Sequence, residues 1–245
     1  MDSKSDYMRL IRLYGEVIDH LKGYSSADER MVRAQELAAK ALGHAVAIHS
    51  LANGTDVKPV FGIEGTYIHL ASLNVLTRAL LETYLLFHHI FLDSDSEDEF
   101  EFRYCAWQLK AGRKRERFAQ MIPLQTEEGK KSWAAQQKLN KELRERVRET
   151  DKFESHSADT QERILEGRWR FPRWIDMGSR AGIGQHYRET LYSLLSDYAH
   201  SGGISTAQMG TSISKADRLG LARVALRQAL CVLSRMILAY TDLFP

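Results

Sequence analysis

The sequence is poor in the residues that mark several common protein classes. Its 245 residues include only two cysteines, Cys105 and Cys231. Two isolated cysteines without metal-ligand spacing argue against a disulfide framework and are typical of buried thiols in a reducing cytosol. Prolines number only four, while Leu, Ala, Arg, Glu and Lys are plentiful, which favours helix over sheet. A net charge of +2 does not indicate nucleic-acid binding by the whole chain, so any such interpretation depends on local clusters.

Signals for export or membrane insertion are also missing from the sequence. Residues 1–16 contain no apolar core of signal-peptide length. The apolar run 79–92 is short and is interrupted by Glu82, His88 and His89, so we do not expect it to span a membrane. The sequence therefore predicts a cytoplasmic helical protein without a membrane partner.

No motif for a metal, a cofactor or a catalytic nucleophile is visible. His44 and His49 are five residues apart and His88 and His89 are adjacent, whereas helical metal ligands are three or four residues apart. The Glu-x-x-His pattern of di-iron bundles is absent around Glu82. The sequence has neither a glycine-rich phosphate loop nor a nucleophile elbow. We therefore expect no bound metal and no cofactor.

Apolar residues recur at helical spacing along most of the chain. The predicted helices cover 7–21, 27–51, 68–92, the segment from the acidic run 93–101 to about 122, 126–150, 185–200 and 215–243. Ser26 followed by Glu29 predicts a capping box at the start of the second helix. No segment shows the alternation that is typical of a strand. We predict an all-α fold, a bundle of about six or seven helices.

The middle of the chain differs in composition from the rest. Residues 126–150 are almost all charged or polar with a thin apolar stripe, and residues 151–167 lose helical periodicity. A proline and three glycines punctuate 167–184, which we interpret as an ordered loop. We therefore predict one all-α domain over 1–245 in which residues 124–184 form an insertion. A homodimer is expected to form through the polar helix or the last amphipathic helix.

The apolar helix predicted over 68–92 carries a polar stripe. Arg78 and Glu82 are four residues apart and His89 follows seven residues later, so the three side chains project in almost the same direction. A buried charge is costly unless it is paired. The stripe therefore needs partners from another segment of the chain.

We expect the segment that ends in His200, with Ser196 and Asp197, to supply those partners. An arginine–carboxylate pair beside an imidazole could serve acid–base chemistry or hold a phosphate. In the other interpretation, which the usual fate of buried charges favours, Arg78 and Glu82 form an intrahelical ion pair that ties two helices together. The candidate catalytic residues are Arg78, Glu82, Ser196 and His200.

Arginine and tryptophan alternate at the start of the predicted loop. The candidate nucleic-acid-binding residues are Arg168, Trp169, Arg170, Arg173 and Trp174. Interleaved guanidinium and indole groups suit single-stranded nucleic acid through phosphate pairing and base stacking. The same composition also makes a loop that packs onto a helical bundle by cation–π contacts and buried tryptophan, and we favour that interpretation because only one such cluster is present. The basic run 110–117 is likewise interpreted as a solvated helix face.

Three short motifs together resemble a known family. They are RALLE at 78–82 on the apolar helix, the Trp/Arg-rich loop, and YSLLSDYAH at 192–200 before a glycine loop. The combination resembles an uncharacterised bacterial all-α family, domain of unknown function 5677, over roughly residues 27–239. The resemblance implies an all-α fold and no established activity.

A more distant resemblance is to HEPN helical domains, many of which are metal-independent ribonucleases in toxin and antiviral systems. Their signature is an arginine, a polar residue, a few variable residues and a histidine near one helix end, and the site is usually completed across a dimer. His200 matches the histidine, and Ser196 or Asp197 matches the polar position. The resemblance implies a HEPN-like core with a polar helical insertion.

This sequence departs from that signature at the arginine. The positions where the signature would have arginine hold Leu195 and Ser193, so Arg78 or Arg188 would have to supply the guanidinium from elsewhere. The resemblance implies a protein of stress or phage-defence type that binds or cleaves RNA, in which His200 moves a proton and an arginine stabilises the phosphorane. The alternative is a non-catalytic helical interaction module in which the same polar residues are structural.

Overall fold

The fold is almost entirely helical. A computed structural model describes residues 3–22, 28–121, 126–200, 202–203, 206 and 214–244. The elements in chain order are α1 (Ser3–His20), α2 (Glu29–Ala52), β1 (Thr55–Asp56), α3 (Lys58–Phe61), β2 (Thr66–Tyr67), α4 (Leu70–Phe91), α5 (Glu97–Met121), α6 (Glu127–Arg148), α7 (Asp151–Glu154), α8 (Ala158–Leu165), α9 (Trp174–Arg180), α10 (Gln185–Ala199) and α11 (Lys215–Leu243).

The all-α prediction is confirmed, but the helix count is higher than predicted. Eleven helices are found among the described residues, against the predicted six or seven. The additional ones are the short helices α3, α7, α8 and α9, of four to eight residues each. Helices of one or two turns are too short to show periodicity in the sequence. For α7 a local cap adds stability, since Thr150 Oγ1 accepts from Phe153 N at 3.2 Å. Helix α9 lies inside 167–184, so the loop prediction was wrong there.

Two local features near α2 also differ from the sequence predictions. The residue that caps α2 is Asp28, whose Oδ1 accepts from Arg30 N at 2.8 Å. The predicted cap, Ser26, lies outside the described residues. In the following loop β1 and β2 form an antiparallel ladder of two residues each, which is too short to produce an alternating pattern.

The chain divides into two compact units, and α4 is the central helix of the first, which comprises residues 1–92 and 173–245. Helix α4 packs against α2, α9, α10 and α11. Helix α2 presents small side chains that are all 0% exposed: Ala34, Ala38, Ala41 and Ala45. Small side chains at a helix contact let the two helix axes approach closely. Helix α2 therefore packs closely against one side of α4, and α10 packs against another side.

An aromatic contact links α1, α4 and α11 within this unit. The ring centroid of Tyr240 lies 6.1 Å from that of Tyr14 and 6.2 Å from that of Phe87. All three side chains are 0% exposed. Buried aromatic pairs in such tilted or edge-on geometry add to the stabilisation that comes from burial alone.

By length and composition, α4 is the one helix among the described residues that could cross a membrane. It has 22 residues, and 56% of its most apolar window is buried inside the fold. The core helix of a soluble protein passes the same test. The expectation that no membrane is involved stays a prediction.

The second unit comprises residues 93–172 and contains α5 to α8. Helix α5 packs against the other three. Its buried apolar residues are Phe102, Tyr104, Cys105, Ala106 and Leu109. The polar helix α6 contributes Leu143 and Val147 of its predicted thin stripe, which are 1% and 0% exposed. The predicted insertion over 124–184 stays a prediction.

Candidate functional site

A polar cluster forms where α4 packs against α10. Arg78 of α4 donates through Nε to Glu82 Oε1 at 2.8 Å, one helical turn further along. Its Nη2 donates to the Tyr192 hydroxyl at 3.0 Å, and its Nη1 donates to Ser196 Oγ at 3.3 Å. The same Nη1 lies 3.4 Å from His200 Nε2. The structure therefore brings together all four predicted catalytic residues.

The cluster is partly enclosed, while the histidine is open to solvent. The side chains of Arg78 and Glu82 are 17% and 29% exposed, whereas His200 is an exposed residue. Tyr192, Ser196 and His200 line an open cleft of about 510 Å³. The half-buried guanidinium thus contacts three residues that a ligand in the cleft would meet.

The three arms of the Arg78 guanidinium are held with different strength. The Nε and Nη2 contacts, at 2.8 and 3.0 Å, have the usual length of a hydrogen bond. The Nη1 contacts, at 3.3 and 3.4 Å, are long. The Nε and Nη2 contacts therefore fix the planar group, and Nη1, which makes only long contacts, can donate to an acceptor that enters the cleft.

The charge of Glu82 keeps Arg78 protonated. Burial on its own would lower the pKa of Arg78, but the hydrogen bond and charge of Glu82, helped by Tyr192, outweigh burial and raise it. Burial raises the pKa of Tyr192, and the positive charge of Arg78 opposes that change. Tyr192 therefore stays neutral and acts as a hydrogen-bonding group.

The contact between Arg78 and His200 depends on the tautomer of the imidazole. A guanidinium only donates hydrogen bonds, so His200 Nε2 has to carry a lone pair and accept. Only the neutral tautomer with its proton on Nδ1 makes this contact. In that state His200 has a basic nitrogen beside a fixed positive charge.

The backbone at the end of α10 sets the position of the histidine. His200 is the C-cap residue, and its N–H donates to Ser196 O at 3.0 Å. Gly202 N then donates to Asp197 O at 2.8 Å. A Cβ at position 202 would meet the Asp197 carboxylate, so a larger residue there needs that side chain to move. This turn presents the imidazole at the open end of the cleft.

Two residues of the cluster were not among the predicted site residues. Tyr192 is one of them, although Tyr192, Ser196 and His200 are spaced by four residues and so share a helix face. Arg188, which was considered only as a substitute arginine, also lines the cleft. Its Nη1 donates to Ile183 O, so it is fixed at a different place from Arg78.

The predicted third member of the polar stripe, His89, lies elsewhere. It is 3% exposed and does not line the cleft. Among the residues that the structure describes, no group of three or more His, Cys, Asp or Glu side chains is arranged to hold a metal ion.

The predicted nucleic-acid-binding residues are divided between the two units. Arg168, Trp169 and Arg170 belong to the second unit, and Arg173 and Trp174 belong to the first. Arg173 pairs with Asp176 at 2.9 Å, and Trp174 is half-buried beside Leu81 and Leu85 of α4. The five residues are therefore not one cluster within a single unit.

Trp169, in the second unit, has a packing role. The Trp169 ring meets Phe102 edge-on with centroids 5.3 Å apart, and it meets Phe171 in the same way at 5.0 Å. The Lys110 ammonium lies 4.4 Å from the centre of the Phe171 ring. These contacts support the interpretation in which the loop packs onto the bundle by aromatic and cation–π contacts.

Comparison with known proteins gives one family match. The family described as a family of unknown function, DUF5677, matches residues 37–214 of the chain, and the predicted family is confirmed. Neither a curated protein nor a solved structure matches the chain.

Proposed function

We propose that this chain, which belongs to the DUF5677 family of unknown function, is a HEPN-like protein of stress or phage-defence type that binds and cleaves RNA without a metal. The observation that carries the proposal is the position of Arg78 Nη1, 3.4 Å from His200 Nε2 and 3.3 Å from Ser196 Oγ. Sequence alone left the motif without its arginine. The guanidinium of Arg78 on α4 lies beside His200, which supports the proposal that it takes the role of the missing arginine.

The chemistry follows from the roles that these side chains can take. A phosphodiester in the cleft would bring its non-bridging oxygens to Arg78 and its 2′-hydroxyl to His200. His200 takes the 2′-hydroxyl proton while O2′ forms a bond to phosphorus, and the bond from phosphorus to O5′ breaks. The products are a 2′,3′-cyclic phosphate and a 5′-hydroxyl, whose oxygen takes one proton from water, and His200 then returns its proton to the solvent. Arg78 stabilises the extra charge on the phosphorane, because its Nη1 group makes only long contacts and can donate to that charge as it develops.

The remaining cluster residues position the guanidinium. Glu82 and Tyr192 hold Nε and Nη2 and so aim Nη1 towards the cleft. Ser196 offers a hydroxyl that can donate to a phosphate oxygen once it is released from Arg78. All these groups come from one chain. The homodimer that the HEPN resemblance implies is part of the proposal, but the arginine–histidine pair does not depend on it.

A second candidate function is a non-catalytic interaction module. The ion pair between Arg78 and Glu82 at 2.8 Å favours it, since this partly buried pair on α4 also bonds Tyr192 and Ser196 of α10 and so joins two helices. The two functions differ at His200. A structural network gains little from an exposed imidazole, whereas general acid–base catalysis needs one within reach of substrate.

The test is cleavage of a labelled single-stranded RNA in excess chelator by the wild-type protein and by His200→Ala. We expect cyclic-phosphate products from the wild type and at least a hundredfold slower cleavage by the variant, at an unchanged melting temperature. His20→Ala, a substitution of an exposed histidine on α1, is the matched control and should cleave normally. Absence of cleavage by the wild type, together with a lower melting temperature for His200→Ala, would support the interaction module instead.

A further inference from the structure

The two ends of α5 differ in how their charges are satisfied. The acidic residues at its beginning are engaged within the second unit: Glu99 pairs with Arg103 at 2.8 Å, and Glu101 accepts from Arg146 Nε at 2.6 Å. Asp98 accepts from the backbone N–H groups that begin α7, at 2.8 and 3.0 Å. The acidic end is therefore part of the fold and needs no external partner.

The basic end of α5 has no comparable set of partners. Lys110, Arg113, Lys114 and Arg117 are spaced i, i+3, i+4 and i+7, so they form one stripe of about 10 Å along the helix. Arg113 donates to the Glu166 backbone carbonyl, and its closest carboxylate is at 3.9 Å. Among the described residues, Lys114 and Arg117 have no carboxylate within ion-pair distance.

The like charges in this stripe affect one another. Burial lowers the pKa of Arg113, and the positive charges of Arg117 and Arg168 lower it further. Burial also lowers the pKa of Lys110, and Lys114 adds to that effect. A cluster of cations with few counter-charges opposes folding slightly and favours binding of an anion.

An aromatic groove lies beside the cationic stripe. Phe118, one position beyond Arg117, is 62% exposed. It lines a groove of about 380 Å³ together with Trp133 of α6, and Arg115 and Gln136 border it. Arg115 donates to Gln136 at 2.7 Å, which joins the two helices at this point. An exposed phenylalanine that shares a groove with a tryptophan is a stacking surface for a planar group.

We propose that the cationic stripe (Lys110, Arg113, Lys114 and Arg117) and the aromatic groove (Phe118 and Trp133) together bind single-stranded nucleic acid. The stripe contacts successive phosphates, and the groove accepts bases. A polyanion with exposed aromatic faces satisfies both features, whereas an acidic peptide would satisfy only the stripe. This surface adds RNA binding outside the α4–α10 cleft and does not depend on cleavage there.

The experiment measures binding of the wild-type chain to a labelled 20-nucleotide 2′-O-methyl oligouridine by fluorescence anisotropy at several salt concentrations. This probe lacks the 2′-hydroxyl that the proposed cleavage requires, so binding is read separately from chemistry. We expect Lys114→Gln with Arg117→Gln to weaken binding about tenfold or more at 0.1 M salt. Loss of two phosphate contacts should also reduce the slope of log affinity against log salt by about 1.4.

Matched controls distinguish binding at this surface from general effects of net charge and of exposed hydrophobic residues. Lys138→Gln with Lys141→Gln removes the same two charges from the exposed side of α6 and should bind like the wild type. Phe118→Ala should weaken binding about tenfold with an unchanged salt slope, because stacking involves no counterion release. Leu238→Ala, at a residue that is 63% exposed in the first unit, should have no effect.

The outcomes distinguish this inference from the proposed function. If Lys114→Gln with Arg117→Gln binds as tightly as Lys138→Gln with Lys141→Gln, the nucleic-acid surface is overturned, whether or not the wild type cleaves RNA. The surface would also be overturned if poly-glutamate at equal charge concentration displaces the oligouridine and Phe118→Ala binds it like the wild type. That result would indicate an acidic protein partner. Specific binding by a wild-type protein that cleaves no RNA leaves this surface supported and overturns the ribonuclease proposal alone.

Discussion

Arg78 and His200 are 122 residues apart in the chain, yet Arg78 Nη1 lies 3.4 Å from His200 Nε2. The contact exists because α4 is packed at the centre of its unit and α10 lies along it. Glu82 and Tyr192 fix the guanidinium from the other side at 2.8 and 3.0 Å. An arginine held in this way already lies beside the histidine before a ligand enters.

Arg78→Lys tests whether the shape of the guanidinium matters. Lysine keeps the charge but has one nitrogen, which cannot bond Glu82, Tyr192 and a phosphate oxygen in the directions that the planar group provides. We expect cleavage to fall about a hundredfold in kcat, with a melting temperature close to that of the wild type. Arg9→Lys, at an arginine whose side chain is 78% exposed on α1, should cleave normally. Full activity in Arg78→Lys would contradict a transition-state role for the guanidinium.

Complementation between inactive variants tests whether the site lies within one chain. Arg78 and His200 of the same chain are in contact, so a dimer of Arg78→Ala with His200→Ala contains no site that has both residues. We expect no recovery of RNA cleavage when the two variants are co-expressed with different tags and purified as the mixed species. A site that is shared across a dimer would instead regain up to half of the wild-type rate.

The sequence predicted which residues form this cluster, but it did not predict how they are arranged. Helical spacing placed Arg78 and Glu82 on one stripe, and the need of a buried charge for partners pointed to Ser196 and His200. The distances across α4 and α10 could not be predicted, because they depend on packing between segments more than a hundred residues apart. Tyr192 was missed for a related reason, since a tyrosine on an amphipathic helix resembles any other core residue until its hydroxyl is seen to bond Arg78.

The long helices were predicted well because periodicity accumulates over many turns. The sequence predicted α11 over 215–243, and the structure places it at Lys215–Leu243. Helix α9 was missed because its seven residues have only two buried positions, Met177 and Gly178, and so show no period. Short segments such as α9 form their helical turns through local hydrogen bonds, which hydrophobic patterning does not reveal.

Arg103→Leu tests a buried charge cluster at the start of the second unit. The Arg103 side chain is 5% exposed, and it donates to Asp93 Oδ2 at 3.0 Å and to Glu99 Oε1 at 2.8 Å. Leucine would leave two mostly buried carboxylates without their counter-charge, so the free energy of unfolding should fall by about 3 kcal/mol. Urea denaturation followed by circular dichroism measures the change. Arg173→Leu removes an exposed pair with Asp176 and should leave the urea midpoint unchanged.

Glu99 makes the stability of this unit depend on pH. Burial alone would raise the pKa of Glu99, but the charge and hydrogen bond of Arg103, a backbone N–H and Lys152 together lower it below its ordinary value of 4.5. Because the pKa in the folded state is lower than in the unfolded state, the ionised carboxylate stabilises the fold fully above the unfolded value. That contribution is lost as the pH falls through the folded value.

The variant Glu99→Gln should reveal that contribution as a difference that depends on pH. At pH 7 we expect the variant to be less stable than the wild type, and the difference should shrink as the pH falls from about 5 to about 3. Glu128→Gln, at an exposed residue in the first turn of α6, removes the same charge from a position outside the buried cluster and serves as the control. Urea midpoints at a series of pH values measure both differences. A Glu99→Gln difference that stays constant with pH would mean that Arg103 does not favour the ionised carboxylate, and the buried cluster would then be held by Asp93 alone.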